Sequence, residues 1–101
     1  MSDVADKLAE ARARVERAWV QRDYACGTGV CSVGAIQAVV NGDPDDCTCS
    51  YMVRQVEVFL RKAIDRPSII AWNDAPGRTQ AEVIEAFRKA EELARKEPTN
   101  A

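Results

Sequence analysis

The sequence predicts an all-α fold, a compact single domain of four main helices whose second helix is mostly buried. Three long segments carry apolar residues at spacings of three and four, which is typical of helices with one buried face. A fourth segment is apolar nearly all round, and short stretches containing glycine, proline or aspartate separate the four. Because 101 residues is the length of one domain, we expect a single domain over residues 1–97 and a frayed tail over 98–101.

The first helix is predicted from Val4 to about Arg22, with Asp3 as its N-terminal cap. Its apolar stripe consists of Val4, Leu8, Ala11, Val15, Ala18 and Trp19. This stripe fits the core of a monomer, and it also fits a short coiled-coil seam with alanine at two positions, which would give a weak homodimer. Two glycines in the stretch from Arg22 to Gly29 then predict a loop.

The second helix is predicted with Ser32 as its cap and with Asn41-Gly42 as its end. Only two residues between Cys31 and Val40 are polar. A helix that is apolar on almost every side is expected at the centre of a domain. The segment that follows, "DPDDCT", is predicted to be an acidic turn exposed to solvent.

Two further helices are predicted in the second half of the chain. The third runs from about Cys49 to Ile64, and the fourth from Thr79 to about Lys96. Between them, the segment "SIIAW" is too short to classify by periodicity. It forms either one helical turn capped by Ser68 or an extended segment.

Composition and charge argue against several classes of protein. Hydrophobic residues make up 47% and charged residues 30% of the chain, which is ordinary for a globular protein. A net charge of −2 and a pI near 5.1 argue against a nucleic-acid partner, which normally requires a basic excess. No apolar run approaches the roughly 18 residues of a membrane span, and the charged start of the chain is unlike a signal peptide. We therefore expect a cytoplasmic protein with no membrane partner.

The stretch "WNDAPGRT" (residues 72–79) concentrates turn-forming residues before the fourth helix. Thr79 and Glu82 fit a capping box, in which each side chain accepts a hydrogen bond from the backbone amide of the other residue. The Pro-Gly pair supplies a sharp turn, and the Asn-Asp pair is expected to bond nearby backbone amides. A turn does not require Arg78. The residues that we predict to contact a partner are Trp72, Asn73, Asp74, Arg78 and Thr79.

Four cysteines, Cys26, Cys31, Cys47 and Cys49, leave three states open. In a reducing cytosol, buried or loop thiols are expected first. Four thiolates also suit a structural zinc ion, for which C-x4-C is a usual spacing and C-x-C a less usual one. The second helix places Cys31 and Cys47 at opposite ends, about 15 Å apart, which argues against both zinc and a disulfide. We predict no cofactor, and a structural zinc module is the alternative.

No residue identifies a catalytic site. A cysteine nucleophile needs a general base, and the chain contains no histidine. The N-terminus of the second helix is a position that lowers the pKa of a thiol such as that of Cys31, but nothing places a base beside it. The stretch "GTGVCSVG" lacks the residue pattern of dinucleotide and phosphate loops. We predict that the protein is not an enzyme.

Several elements between Trp19 and Leu93 occur together: "AWV", Cys-x-x-Gly-Ala, Trp-Asn-Asp, Gly-Arg-Thr and Glu-Val. In this combination the chain resembles a small actinobacterial and actinophage family known only as a domain of unknown function. The cysteines at 26, 47 and 49 depart from the pattern of that family. The resemblance implies an intracellular protein encoded by a phage or prophage, with no assigned activity or cofactor. We therefore expect a non-enzymatic protein-binding module whose partner is a host protein.

Overall fold

Five helices and a pair of two-residue strands form the described part of the chain. The computed structural model describes residues 3–21, 25–26 and 29–96. The helices are α1 (Val4–Arg17), α2 (Ser32–Asn41), α3 (Tyr51–Ile64), α4 (Ile69–Asn73) and α5 (Gln80–Lys96). The strands β1 (Ala25–Cys26) and β2 (Gly29–Val30) pair in antiparallel orientation. The predicted all-α class is confirmed, while the predicted tail at 98–101 lies outside the described residues.

The first helix is shorter than predicted, and the reason is a contact with β2. Asp3 caps α1 as predicted, because its carboxylate accepts from a first-turn amide at 2.9 Å. The helix ends at Arg17 because the next residue, Ala18, is extended, with φ −167° and ψ 134°. The Ala18 carbonyl accepts a hydrogen bond from the Val30 amide at 3.1 Å. The stretch predicted as a loop contains β1 and the first residue of β2, and both strands are too short to show in a residue pattern.

α2 lies at the centre of the protein, as predicted. Residues 32–38 are all buried, and the helix contacts α1, α3 and α4. The prediction of Ser32 as the cap is wrong: Cys31 caps the helix, and its sulfur accepts from the Gly34 amide at 3.3 Å. Ser32 is instead the first helical residue. The predicted end of the helix is confirmed, because Gly42 adopts the left-handed φ of 87° that terminates many helices.

The helices of the second half begin at capping side chains. The Ser50 hydroxyl caps α3, which ends at Asp65 with a left-handed φ of 55°. Of the two alternatives for the short apolar run, the structure has the helical turn, α4, capped by Ser68. α5 begins after Thr79, as predicted. Within the described residues, none of the helices has both the length and the apolar content needed to cross a bilayer.

The core lies where the apolar faces of α1, α2, α3 and α5 meet. α1 and α5 make the most extensive contact between helices, and α3 packs beside them on α5. The large side chains that are fully buried include Leu8, Val15, Ile36, Val56, Leu60, Val83 and Phe87. Burial of one such side chain contributes about 1.5–3 kcal/mol. At the edge of this core, Arg12 of α1 and Glu91 of α5 form an ion pair of 2.9 Å that fixes the two helices relative to each other.

Candidate functional site

The turn between α4 and α5 (residues 74–79) has a defined backbone geometry. The Arg78 amide donates to the Ala75 carbonyl at 3.0 Å, which closes a four-residue turn around Pro76 and Gly77. Gly77 has a φ of 83°. Proline at the second position and a positive φ at the third define a type II turn. The predicted sharp turn is therefore confirmed.

The capping box at the start of α5 is present in full. The Thr79 hydroxyl accepts from the Glu82 amide at 3.2 Å, and the Thr79 amide donates to the Glu82 carboxylate at 2.9 Å. This bond from the Thr79 amide is the main reason that the pKa of Glu82 lies below its usual value, and the charge of Arg78 lowers it further. Glu82 is thus an ionised residue that fixes the first turn of the helix.

Arg78 has a structural function that its position in the sequence did not predict. Its Nε donates to the Trp72 carbonyl at 2.9 Å, and its guanidinium lies over the Trp72 indole, 4.2 Å from the ring centroid. A second guanidinium nitrogen lies 3.4 Å from the Glu82 carboxylate. The Arg78 side chain keeps 20% of its surface exposed. It therefore connects the end of α4 to the start of α5 and still reaches solvent.

Asn73 is the centre of a buried group of hydrogen bonds, the Asn73 network, and is only 1% exposed. Its Oδ1 accepts from the Trp19 indole at 2.8 Å, from the Ser32 amide at 3.0 Å and from the Ser32 hydroxyl at 2.6 Å. Its Nδ2 donates to the Val20 carbonyl at 3.3 Å and to the Asp74 carboxylate at 3.0 Å. Sequence reasoning expected bonds to nearby backbone amides, whereas most of these bonds reach other parts of the chain.

The segment after α1 supports the turn from inside the protein. The side-chain amide of Gln21 donates to the carbonyls of Asn73 and Ala75 at 3.0 and 3.1 Å. Sequence reasoning missed this function of Gln21 and the function of Ser32, because neither residue has a fixed spacing to the turn. For Ser32 a signal was available, because it is one of only two polar residues between Cys31 and Val40 and a buried hydroxyl needs a partner.

An open groove of about 450 Å³ lies beside the turn. The stacked pair of Trp72 and Arg78 contributes to its lining. Its other lining residues come from the end of α3 and the first half of α5: Ala63, Ile64, Ala81, Glu82, Glu85, Ala86 and Lys89. The groove thus combines small apolar side chains and charged ones with one tryptophan and one arginine, two residue types that are enriched at protein interfaces.

A sequence model of DUF6197, a family of unknown function, matches residues 1–93. The chain belongs to this family. No curated protein and no solved structure matches it.

Of the five residues predicted for partner contact in this DUF6197 chain, two line the groove. These are Trp72 and Arg78, and their side chains are stacked on each other. Thr79 is exposed at the adjacent helix start, and Asp74 is partly exposed at the end of α4. Asn73 is buried beneath them, so its side chain holds the turn and does not reach the surface.

The cysteines of the DUF6197 chain lie in different environments. Cys31 is buried, whereas Cys47 and Cys49 are exposed. Burial raises the pKa of the Cys31 thiol, so the expected lowering by the helix N-terminus is wrong. Among the described residues, no three histidine, cysteine or acidic side chains are grouped to hold a metal. The side chain of Cys26 lies outside the described residues, so zinc binding by all four cysteines stays a prediction.

Proposed function

We propose that this chain is a protein-binding module without catalytic activity, and that a partner protein docks on the groove. The observation that carries the proposal is the stacked pair of Trp72 and Arg78 at the groove. Tryptophan and arginine are among the residues most enriched at the energetic centres of interfaces. Because bonds within the turn already hold the Arg78 side chain against Trp72, a partner would meet a surface that needs little further ordering.

The charges of the groove favour a partner segment that presents a large apolar side chain next to a carboxylate. Alanines in the lining leave room for the apolar side chain. The two glutamates of the groove already accept hydrogen bonds from arginines of this chain. Lys89 forms no ion pair within 4.0 Å of a described residue, although its charge helps to lower the pKa of Glu85. A carboxylate of the partner would pair with its ammonium group and help to select that partner.

The acidic groups in the groove suit recognition better than acid-base catalysis. An enzyme acting at neutral pH needs an acid or base whose pKa lies near that pH. Hydrogen bonds from the Thr79 amide and from Arg88 lower the pKa values of Glu82 and Glu85, respectively. Both carboxylates are thus ionised and engaged within the chain, which suits a recognition surface.

The resemblance of the chain to an actinobacterial and actinophage family suggests the kind of partner. Similarity to actinobacterial and actinophage sequences favours a chain of phage or prophage origin that works in the bacterial cytoplasm. A protein of the host is then the expected partner.

Photo-crosslinking from inside the groove tests the docking surface. A photoreactive amino acid replaces Ala81, which is exposed in the groove, or Ala13, which is exposed on α1 and does not line it. Each tagged chain is irradiated in an actinobacterial lysate. We expect a discrete crosslinked protein from position 81 and none from position 13. Equal products from both positions would count against a specific surface.

Two substitutions then test the groove against the partner so identified. Ala81→Trp fills the groove, and Lys89→Glu reverses the charge that we assign to recognition. Each is expected to weaken binding at least about tenfold, as contacts at an interface centre do, while Ala13→Trp leaves binding unchanged. Calorimetry measures affinity and circular dichroism confirms folding. Unchanged affinity in both folded groove variants would exclude the proposal.

A further inference from the structure

The loop between α2 and α3 (residues 42–50) displays two thiols to solvent. Cys47 and Cys49 are both exposed, although free cysteine is among the most buried residue types in proteins. Only Thr48 separates them. Neither thiol belongs to the core or to the groove, so neither packing nor the proposed binding surface accounts for this pair.

Side chains of α2 hold the loop in place. The Asn41 amide donates to the Asp46 carbonyl at 2.8 Å and to the Thr48 carbonyl at 3.0 Å, on either side of Cys47. The buried side chain of Gln37 donates to the Pro44 carbonyl. Two polar residues at the end of a central helix thus fix the backbone that carries the thiols. A loop held in this way orders its side chains at little further cost when a ligand binds.

Two of the carboxylates in the loop accept hydrogen bonds from its own backbone. One oxygen of Asp43 accepts from the Asp45 amide at 2.8 Å, and one of Asp46 accepts from the Thr48 amide at 3.0 Å. Both residues therefore shape the backbone of the turn. The two sulfur atoms are the soft donors of the loop, and such donors favour soft metal ions over hard ions such as Ca²⁺ or Mg²⁺.

The spacing of the two thiols suits one ion bound between them. Residues two apart have Cα atoms no more than about 7 Å from each other, so both sulfur atoms can reach a shared ion without displacing the ends of the loop. A structural zinc ion takes four ligands, and the described residues group no three metal-binding side chains. A soft monovalent ion, in contrast, is satisfied by two thiolates in a linear arrangement, and cysteine thiolates select Cu(I).

We propose that Cys47 and Cys49 form a two-thiolate site for a single Cu(I) ion. On binding, the two S–H bonds lose their protons to the solvent and two Cu–S bonds form, while copper stays in the +1 state. The site uses no residue of the groove, so the copper proposal and the proposed protein-binding function can be tested separately.

Competition with a coloured Cu(I) chelator tests the site. The full chain, reduced with a phosphine under nitrogen, is mixed with one equivalent of Cu(I) bicinchoninate. Native mass spectrometry counts bound copper, and the loss of colour measures affinity. We expect one copper ion on the wild-type chain and on Cys26→Ser, and none on Cys47→Ser or Cys49→Ser at the same chelator concentration.

The same experiment contains the results that would overturn the site. Copper kept by either of the two loop variants would show that the thiols do not act as a pair. Loss of copper from Cys26→Ser would show a larger cysteine cluster, as would one zinc ion that requires Cys26. Asn41→Ala keeps both thiols but removes the bonds that hold the loop, and we expect it to weaken copper binding about tenfold, as the loss of a supporting residue around a metal ligand does. Equal copper affinity in Asn41→Ala and the wild-type chain would show that the hydrogen bonds from Asn41 do not hold the loop in a conformation that favours copper binding.

Discussion

At the scale of single residues, Asn73 determines how the turn is held. It is buried, and its side chain satisfies the Trp19 indole together with the amide and hydroxyl of Ser32. Without Asn73 these donors would remain inside the protein with no acceptor of their own. A buried donor without an acceptor costs about 1–3 kcal/mol. The residue is therefore expected to matter more for stability than its position next to an exposed turn suggests.

We expect Asn73→Ala to lower the free energy of unfolding by about 3 kcal/mol, because it leaves several buried donors unpaired. Urea denaturation followed by circular dichroism measures the change. Asn41→Ala is the matched control: it removes two hydrogen bonds from a partly exposed asparagine and should cost about 1 kcal/mol. A smaller loss for Asn73→Ala than for the control would contradict the importance of the network.

At the scale of the elements, three backbone positions with a positive φ end a helix or close a turn. Gly42 ends α2 with φ 87°, Gly77 closes the turn before α5 with φ 83°, and Asp65 ends α3 with φ 55°. A Cβ atom added at either glycine would meet nothing within 4 Å. Any cost of a side chain there therefore comes from the backbone conformation and not from crowding.

These positions should respond to substitution in opposite directions. Gly42→Ala and Gly77→Ala are each expected to lower the free energy of unfolding by about 1 kcal/mol. Asp65→Gly relieves the same backbone strain, but it also increases the conformational entropy of the unfolded chain. The net effect expected is a rise of about 0.5 kcal/mol in the free energy of unfolding. Thermal and urea denaturation measure whether each substitution raises or lowers the free energy of unfolding. A destabilised Asp65→Gly would mean that the aspartate makes a contribution beyond its backbone.

The first turn of α5 depends on pH through Glu82. Its pKa is lower in the folded chain than the ordinary value near 4.5, so its ionised form favours folding. This contribution is complete above pH 4.5 and is lost as the pH falls through the lower value of the folded state. Acidification should therefore loosen the capping box before the core unfolds.

Carboxyl NMR of Glu82 can separate the two groups that lower its pKa. In Arg78→Ala we expect the pKa of Glu82 to rise only part of the way to its ordinary value, because the hydrogen bond from the Thr79 amide has the larger effect. Glu85 of the same variant serves as the internal control, since its main partner is Arg88. A complete return of Glu82 to its ordinary pKa would show that the charge of Arg78 dominates.

At the scale of the whole molecule, local patterns predicted the helices but not how the chain connects them. Periodicity located the buried faces of α1, α3 and α5, and capping residues located most of their starts. The predicted end of α1 was wrong because Ala18 and Trp19 continue the apolar spacing of the helix. The chain nevertheless leaves the helix at Ala18, whose carbonyl accepts a hydrogen bond from the Val30 amide. That contact depends on tertiary structure, and no residue spacing encodes it.

In the candidate site, too, the residues that are close in sequence could be predicted and the tertiary contacts could not. Residues 72–79 comprise the end of α4 and the turn that follows it, and because they are adjacent in sequence, Trp72 and Arg78 could be predicted together. The other residues of the groove include Ala63 and Ile64 of α3. They join the site because α3 packs against α5, and the angle at which two helices pack depends on side chains along both. The groove itself could not be predicted from the sequence.

The Asn73 network also bears on the rates at which the fold forms and is lost. Its bonds to Trp19 and Ser32 join positions 54 and 41 residues apart in the chain. They join the segment after α1 to α2 and α4, so we expect them to form late, because contacts between distant positions require long loops to close first. Interactions made after the transition state act mainly on unfolding. We therefore expect the loss of the Asn73 side chain to speed unfolding more than it slows folding.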